Sequence, residues 1–221
     1  MKKVTRIASI VAVGLCAALI VVAEDKPAAN GVDGWTVAYK AELKEAKLPK
    51  EWTVLSGDVA VKDGAILMKG GDSDCQITLT NPKMPGSVKV EFDGTLTGDK
   101  ICDMSTSLNT GEDGFESGYL LQFAGDANKE NHLRKEGVVV ESTVVGKPPA
   151  TAGKKHHVVA ANDGGLISLT VDGKKVFEYK DAQPLKGDRY GQIGFYTFGC
   201  TLKIENLVVS KKDAPAAPAS K

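Results

Sequence analysis

The chain has 221 residues, with 28 Lys and Arg against 28 Asp and Glu, and 42% of it is hydrophobic. A formally neutral chain with no basic stripe lacks the electrostatic footprint of a nucleic-acid binder. Its four cysteines and three histidines show neither CxxC nor any other metal-ligand spacing, which excludes a zinc site built on them.

Lys2, Lys3 and Arg6 precede an uncharged apolar run from Ile7 to Val22, and Val21-Val22-Ala23 offers small residues before the polar Glu24-Asp25-Lys26. This is the three-part pattern of a secretory signal peptide over residues 1–23. The run falls short of the roughly 20 residues that span a bilayer, so no membrane span is expected after cleavage. Cys16 follows the bulky Leu15, where a lipidation motif wants a small residue. The expected location is therefore outside the cytoplasm: periplasm, cell surface or medium. Losing three basic residues leaves 25 against 28 acidic, a net charge near −3. Residues 24–34 read as a linker. Residues 211–221 are Ala/Pro-rich with nothing large to bury, and read as a disordered tail.

Between them, residues 35–210 have a length normal for one domain. Ala38 to Ala46 is the one stretch with helical character. From Trp52 onward, short runs of β-formers alternate with Gly, Asp, Asn and Pro. Val59–Val61 and Ala65–Met68 flank an Asp63-Gly64 hairpin turn. Gln76–Leu79 follows. Ser87–Thr97 has Val88, Val90 and Phe92 on one face and Lys89, Glu91 and Asp93 on the other. Met104, Thr106 and Leu108 alternate with Asp103, Ser105, Ser107 and Asn109; Tyr119, Leu121 and Phe123 alternate with Gln122. Further strands are expected at 137–143, 156–161, 167–172, 176–179, 190–198 and 201–209, with a second Asp-Gly turn at Asp172-Gly173. This spacing predicts an all-β, two-sheet antiparallel sandwich with apolar faces packed inward. One polar face of a curved sandwich is then a groove. Glu91, Asp93, Ser105, Ser107, Asn109, Glu116 and Gln122 would share it if their strands are neighbours.

Asn128, Asn131, His132 and Arg134, in a polar loop after the 119–123 strand, offer amide, imidazole and guanidinium groups suited to sugar hydroxyls. Gln122 and Glu91 would add contacts from the strand face. Tyr190, Tyr196 and Trp35 are the candidate aromatic platforms. Glu91 and Asp93 form a weak candidate acid–base pair.

Four segments resemble the concanavalin A-like lectin/glucanase superfamily, and more narrowly the 3-keto-disaccharide hydrolase-like domains of exported bacterial proteins. They are Trp52 to Leu67, Gly118 to Phe123, Ile167 to Val176, and Gly191 to Val209. The resemblance covers most of the chain after residue 35 and implies a jelly roll. The chain departs from it at Val59, where a Trp is expected, and at Glu205, where an Arg is expected. Glu91-Phe-Asp93 is followed by Gly94, Thr95 and Leu96, so the second glutamate of the laminarinase-type set is missing. The jelly roll sets 87–97 antiparallel to 201–209, which implies a Cys102–Cys200 disulfide with Cys75 free. The functional reading is an exported, non-catalytic carbohydrate-binding or surface-interaction module whose partner is a glycan or cell-envelope polysaccharide. The alternatives are a glycoside-cleaving enzyme of the 3-keto-disaccharide hydrolase type and a structural envelope protein. No cofactor motif is present; only a structural calcium is left open.

Overall fold

A computed structural model describes residues 32–212. The expected signal peptide, and most of the expected linker and tail, lie outside the described residues. Strands occur where the alternation places them, and they form two antiparallel sheets.

The first sheet runs β13 (Lys174–Lys180), β12 (Leu166–Val171), β11 (Lys155–Asp163), β6 (Val88–Thr97), β15 (Thr201–Lys211), β4 (Ala65–Lys69) and β3 (Asp58–Lys62), with β1 (Thr36–Lys40) also paired to β15. The second runs β10 (Val138–Val144), β9 (Glu130–Lys135), β8 (Tyr119–Ala124), β7 (Met104–Thr110), β14 (Gln192–Phe198), β5 (Asp74–Leu79) and β2 (Trp52–Ser56). The Asp63-Gly64 and Asp172-Gly173 pairs both sit at positive φ, as a two-residue hairpin loop matched to strand twist requires.

The inward phase of each strand fills the space between the sheets. Phe92 from one sheet meets Phe195 from the other edge-on, with centroids 5.0 Å apart, and Trp52 stacks on Phe195 at 6.0 Å. Ile66, Met68, Leu79, Leu96, Met104 and Leu108 complete the centre, all essentially inaccessible. Full burial of each such side chain contributes roughly 1.5–3 kcal/mol.

Three expectations are corrected. Ala38 to Ala46 is not helical: Thr36–Lys40 is a strand on β15, and the Tyr39 hydroxyl accepts a 2.8 Å hydrogen bond from the Trp52 indole. Tertiary pairing overrides a weak local preference. The polar segment after β8 is not all loop, because residues 130–135 form β9, with Asn131 and Leu133 inward and Glu130, His132 and Arg134 outward. The Cys102–Cys200 disulfide is absent. β6 and β15 do run antiparallel, with Thr97 opposite Thr201, and the two cysteines do approach. Each thiol instead donates to a carbonyl, Cys102 to Phe198 O and Cys200 to Cys102 O, both at 2.8 Å.

Candidate functional site

The outer face of the second sheet is built by register. Ser142, His132, Gln122, Ser105, Tyr196, Gln76 and Ser56 stand opposite one another across all seven strands. Every one is polar or aromatic. Along the His132-to-Tyr196 stretch of this row an open cleft of about 400 Å³ is lined by Asp103, Gln122, Asp126, Glu130, His132, Arg134, Tyr196 and Phe198. A second hollow of about 600 Å³ continues from it and shares Asp103, Asp126 and Phe198.

Three side chains are held in line. Arg134 Nε donates to Gln122 Oε1 at 3.1 Å, and Gln122 Nε2 donates to Asp103 Oδ1 at 2.9 Å. Both terminal guanidinium nitrogens stay free of hydrogen bonds among the described residues. Burial pushes the Asp103 carboxyl up to about 6, against the opposing pull of the Gln122 hydrogen bond and the Arg134 charge. His132 Nε2 lies 3.2 Å from Glu130 Oε2, which also accepts from Ser142 Oγ at 3.1 Å. Among the described residues, three buried polar atoms on this face have no partner: Thr78 Oγ1, Ser105 Oγ and His132 Nδ1.

The aromatic components come from β14. Tyr196 is half-buried and packs against Phe115 with ring centroids 4.6 Å apart, while Phe198 is 41% exposed. The 110–118 loop folds Phe115 over the sheet. It is tied by a hydrogen bond from Thr110 Oγ1 to Gly114 O and by one from Gly111 N–H to Ser117 Oγ at 2.9 Å. A Cβ at Gly114 would fall on the Gln76 side chain, so this close approach needs glycine.

The rim beside Asp103 is a left-handed turn. Ala124, Asp126, Ala127 and Asn128 all have φ between 46° and 66°. A left-handed alanine costs about 1–2 kcal/mol, so the surroundings must over-determine the turn. They do: Asn131 Oδ1 accepts from Ala124 N–H at 3.1 Å. The Asn128 amide also exchanges two hydrogen bonds with the Ala150 backbone, at 2.8 and 3.0 Å. Asp126 is thereby carried to the cleft edge.

Of the residues singled out from sequence, Arg134, Gln122 and His132 meet in the cleft. Asn131 and Asn128 do not line the first cleft; they hold the turn that shapes it, Asn131 from the protein interior at 4% exposure. Glu91 and Asp93 are elsewhere. Their strand pairs with β11 and β15, so they face outward on the first sheet, across the sandwich from Gln122. Glu91 pairs with Lys89 at 2.8 Å, and Asp93 accepts from Asn206 Nδ2 at 2.7 Å and lies 2.9 Å from His157 Nδ1. Those contacts, the Asn206 bond foremost, hold the Asp93 carboxyl below its ordinary value. That environment suits a fixed carboxylate, not an acid–base pair. Trp35 lies under Lys89 and Lys212, and Tyr190 donates to Glu136, so neither supplies a platform. Asp103, Asp126, Glu130 and Phe198 were not read as site residues. The phase of β14 carried a signal: Tyr196 and Phe198 are aromatics in the outward register, where polar residues are expected. Among the described residues no group of His, Cys, Asp and Glu is arranged to hold a metal ion.

No family model matches the chain, and no curated protein does. Solved structures do. A carbohydrate-binding module, CBM66, from Bacillus subtilis is 19% identical with a TM-score of 0.58, covering 73% of this chain and 96% of its own. A protein of unknown function with a galectin-like fold, also from Bacillus subtilis, is 15% identical with a TM-score of 0.62, covering 80% and 97%. The endo-β-1,3-glucanase from Pyrococcus furiosus is 12% identical with a TM-score of 0.57, covering 82% and 96%. Likeness at such low identity establishes architecture alone, and that architecture is the concanavalin A-like jelly-roll sandwich.

Proposed function

We propose that the protein is an exported glycan-binding module whose ligand lies in the cleft on the outer face of the second sheet. The observation that carries this reading is the aligned Arg134–Gln122–Asp103 series beside an exposed Phe198 and a half-buried Tyr196. A sugar ring has an apolar face for an aromatic side chain and a rim of hydroxyls that both donate and accept. Arg134 presents free donors and Asp103 an acceptor, both already oriented, so little ordering entropy is lost on binding. The carbohydrate-binding module among the similar folds supports the reading. The N-terminal signal-like pattern supports export.

The test is a glycan-array screen of residues 24–221, followed by calorimetric titration with a selected glycan. Arg134→Ala leaves hydroxyls unpaired at about 1–3 kcal/mol per contact, which weakens binding by about 5- to 100-fold. The thermal midpoint falls modestly, because Gln122 Oε1 loses its donor. Undiminished affinity in this variant places the ligand elsewhere, and a blank array favours the structural envelope role.

A second reading, cleavage of a glycosidic bond, draws on the buried Asp103, raised to about 6 and so able to hold a proton near neutrality. The endo-β-1,3-glucanase of similar fold supports it. Release of reducing ends from an array-selected glycan, lost in Asp103→Asn, distinguishes this reading from binding alone.

A further inference from the structure

The outer face of the second sheet carries a third hollow, of about 350 Å³, that the cleft does not use. The 110–118 loop stands between the two. Its Phe115 packs on Tyr196 of the cleft, while its Glu112 lines the hollow on the other side. The floor comes from three adjacent strands: Gln192 on β14, Thr78 on β5 and Thr53 on β2. Thr78 stands directly opposite both Gly194 and Thr53. A Cβ at Gly194 would come within 3.4 Å of Thr78 Oγ1, so the glycine keeps side-chain bulk away from that hydroxyl.

Thr78 lines this hollow at 1% exposure, and its Oγ1 has no hydrogen-bond partner among the described residues. An unpaired hydroxyl at that depth costs free energy, which a ligand group able to pair with it recovers. Gln192 is buried beside it, and its side-chain amide makes no hydrogen bond among the described residues. Half-exposed Leu55 supplies an apolar wall, and one cation, Lys83, balances one anion, Glu112. Such a lining suits a neutral sugar, whose hydroxyls both donate and accept. Gln122, Ser105, Tyr196 and Gln76 stand in register, so Thr78 lies three strands and two residues from Gln122. At about 4.8 Å per strand and about 3.4 Å per residue, that is about 16 Å across the sheet. We propose that this hollow is a second saccharide subsite, and that the ligand is a neutral linear glycan long enough to occupy it and the cleft together, an inference that rests on the glycan-binding reading above. A disaccharide fills one site at a time. A longer chain anchored in the cleft meets the second subsite at high effective concentration, so affinity rises with length.

The experiment is calorimetric titration of residues 24–221 with four probes: the dimer and the hexamer of β-1,3-linked glucose, and the dimer and the hexamer of β-1,4-linked glucose. In at least one series the hexamer is expected to bind at least about tenfold more tightly than its dimer. Thr78→Val keeps the shape and removes only the unpaired hydroxyl. It is expected to weaken hexamer binding at least about fivefold and to leave dimer binding in the cleft unchanged. Its urea midpoint is expected to equal or exceed that of the wild type, because no unpaired hydroxyl is left buried. Gln192→Met, which keeps the volume and removes the amide, is expected to act on the two lengths in the same way. Equal affinity for dimer and hexamer in both series, or a length advantage that survives both substitutions, overturns the second subsite. If Arg134→Ala then still weakens both lengths, glycan binding in the cleft stands and only the subsite is lost. Failure of all four oligomers overturns the neutral linear glycan, and a blank array overturns the glycan-binding reading with it.

Discussion

Replacing Asp103 by Asn removes a buried negative charge with almost no change of shape. The Asn oxygen still accepts from Gln122 Nε2, and Asn tolerates the left-handed backbone at φ 58°. Burial raises the folded-state value from 3.8 to about 6, with the Gln122 bond and the Arg134 charge acting in the opposite direction. The sign of the stability effect follows from that direction. A carboxyl whose folded value lies above its unfolded value binds its proton more tightly when folded. Its contribution is fully present below about pH 4 and is lost as pH rises through about 6. A shift of about two units corresponds to about 3 kcal/mol lost in the wild type by pH 8. The variant never ionises, so it avoids this loss, less about 1 kcal/mol for the new amide donors it must satisfy. Asp103→Asn is therefore expected to be about 1–3 kcal/mol more stable than wild type at pH 8 and indistinguishable or slightly less stable at pH 4. Urea unfolding of both proteins across that range measures the difference, in which all other titrating groups cancel. In thermal melts the gain appears as roughly 2–4 °C per kcal/mol for a domain of this size. A difference that does not change with pH, or a variant less stable at pH 8, refutes the argument. Stabilisation paired with weaker ligand binding is the expected pattern for a charge kept for function.

Asn131→Ala is expected to lower stability by about 1–3 kcal/mol in chemical denaturation, because it leaves the buried Ala124 N–H unpaired and releases a strained turn. An unchanged unfolding midpoint would contradict the role assigned to that amide. Burial raises the Cys75 thiol to about 11 and is the main cause raising Cys102 to about 12, so native alkylation at pH 8 is expected to be slow. A fragment of residues 32–212, denatured without reductant, is expected to take three labels by intact mass; a single label would restore the disulfide.

The strands and their inward faces were legible because period-2 alternation reports burial directly: Val88, Val90 and Phe92 could only face a core. Two things were not legible. Which sheet a strand joins depends on pairings between residues far apart in the chain. Asp93 and Gln122 read alike as outward polar residues, yet they stand on opposite sides of the sandwich because β6 lies beside β15 in one sheet and β8 beside β7 in the other. The second is local. β9 presents Asn131 to the interior, and a polar inward residue breaks the pattern that marks a half-buried strand. Its function, capping the Ala124 N–H, depends on left-handed alanines that no propensity favours. Asp103 and Asp126 were missed for a related reason: each lies at a strand end or in a turn, where an aspartate is unremarkable until its neighbours are known.

The pairing of β1 with β15 sets Thr36 opposite Lys211, and Lys212 lies over the Trp35 ring. The described chain thus enters and leaves at one point, on the sheet that does not carry the cleft. A domain threaded in this way can be spliced into a host loop, or have its ends joined and new ones opened at an exposed hairpin such as Asp63-Gly64, with little change to its interior. Copies strung in series would each be held from behind, their clefts turned outward, and could grip one polymer at several points, so that modest single-site affinity multiplies into avidity.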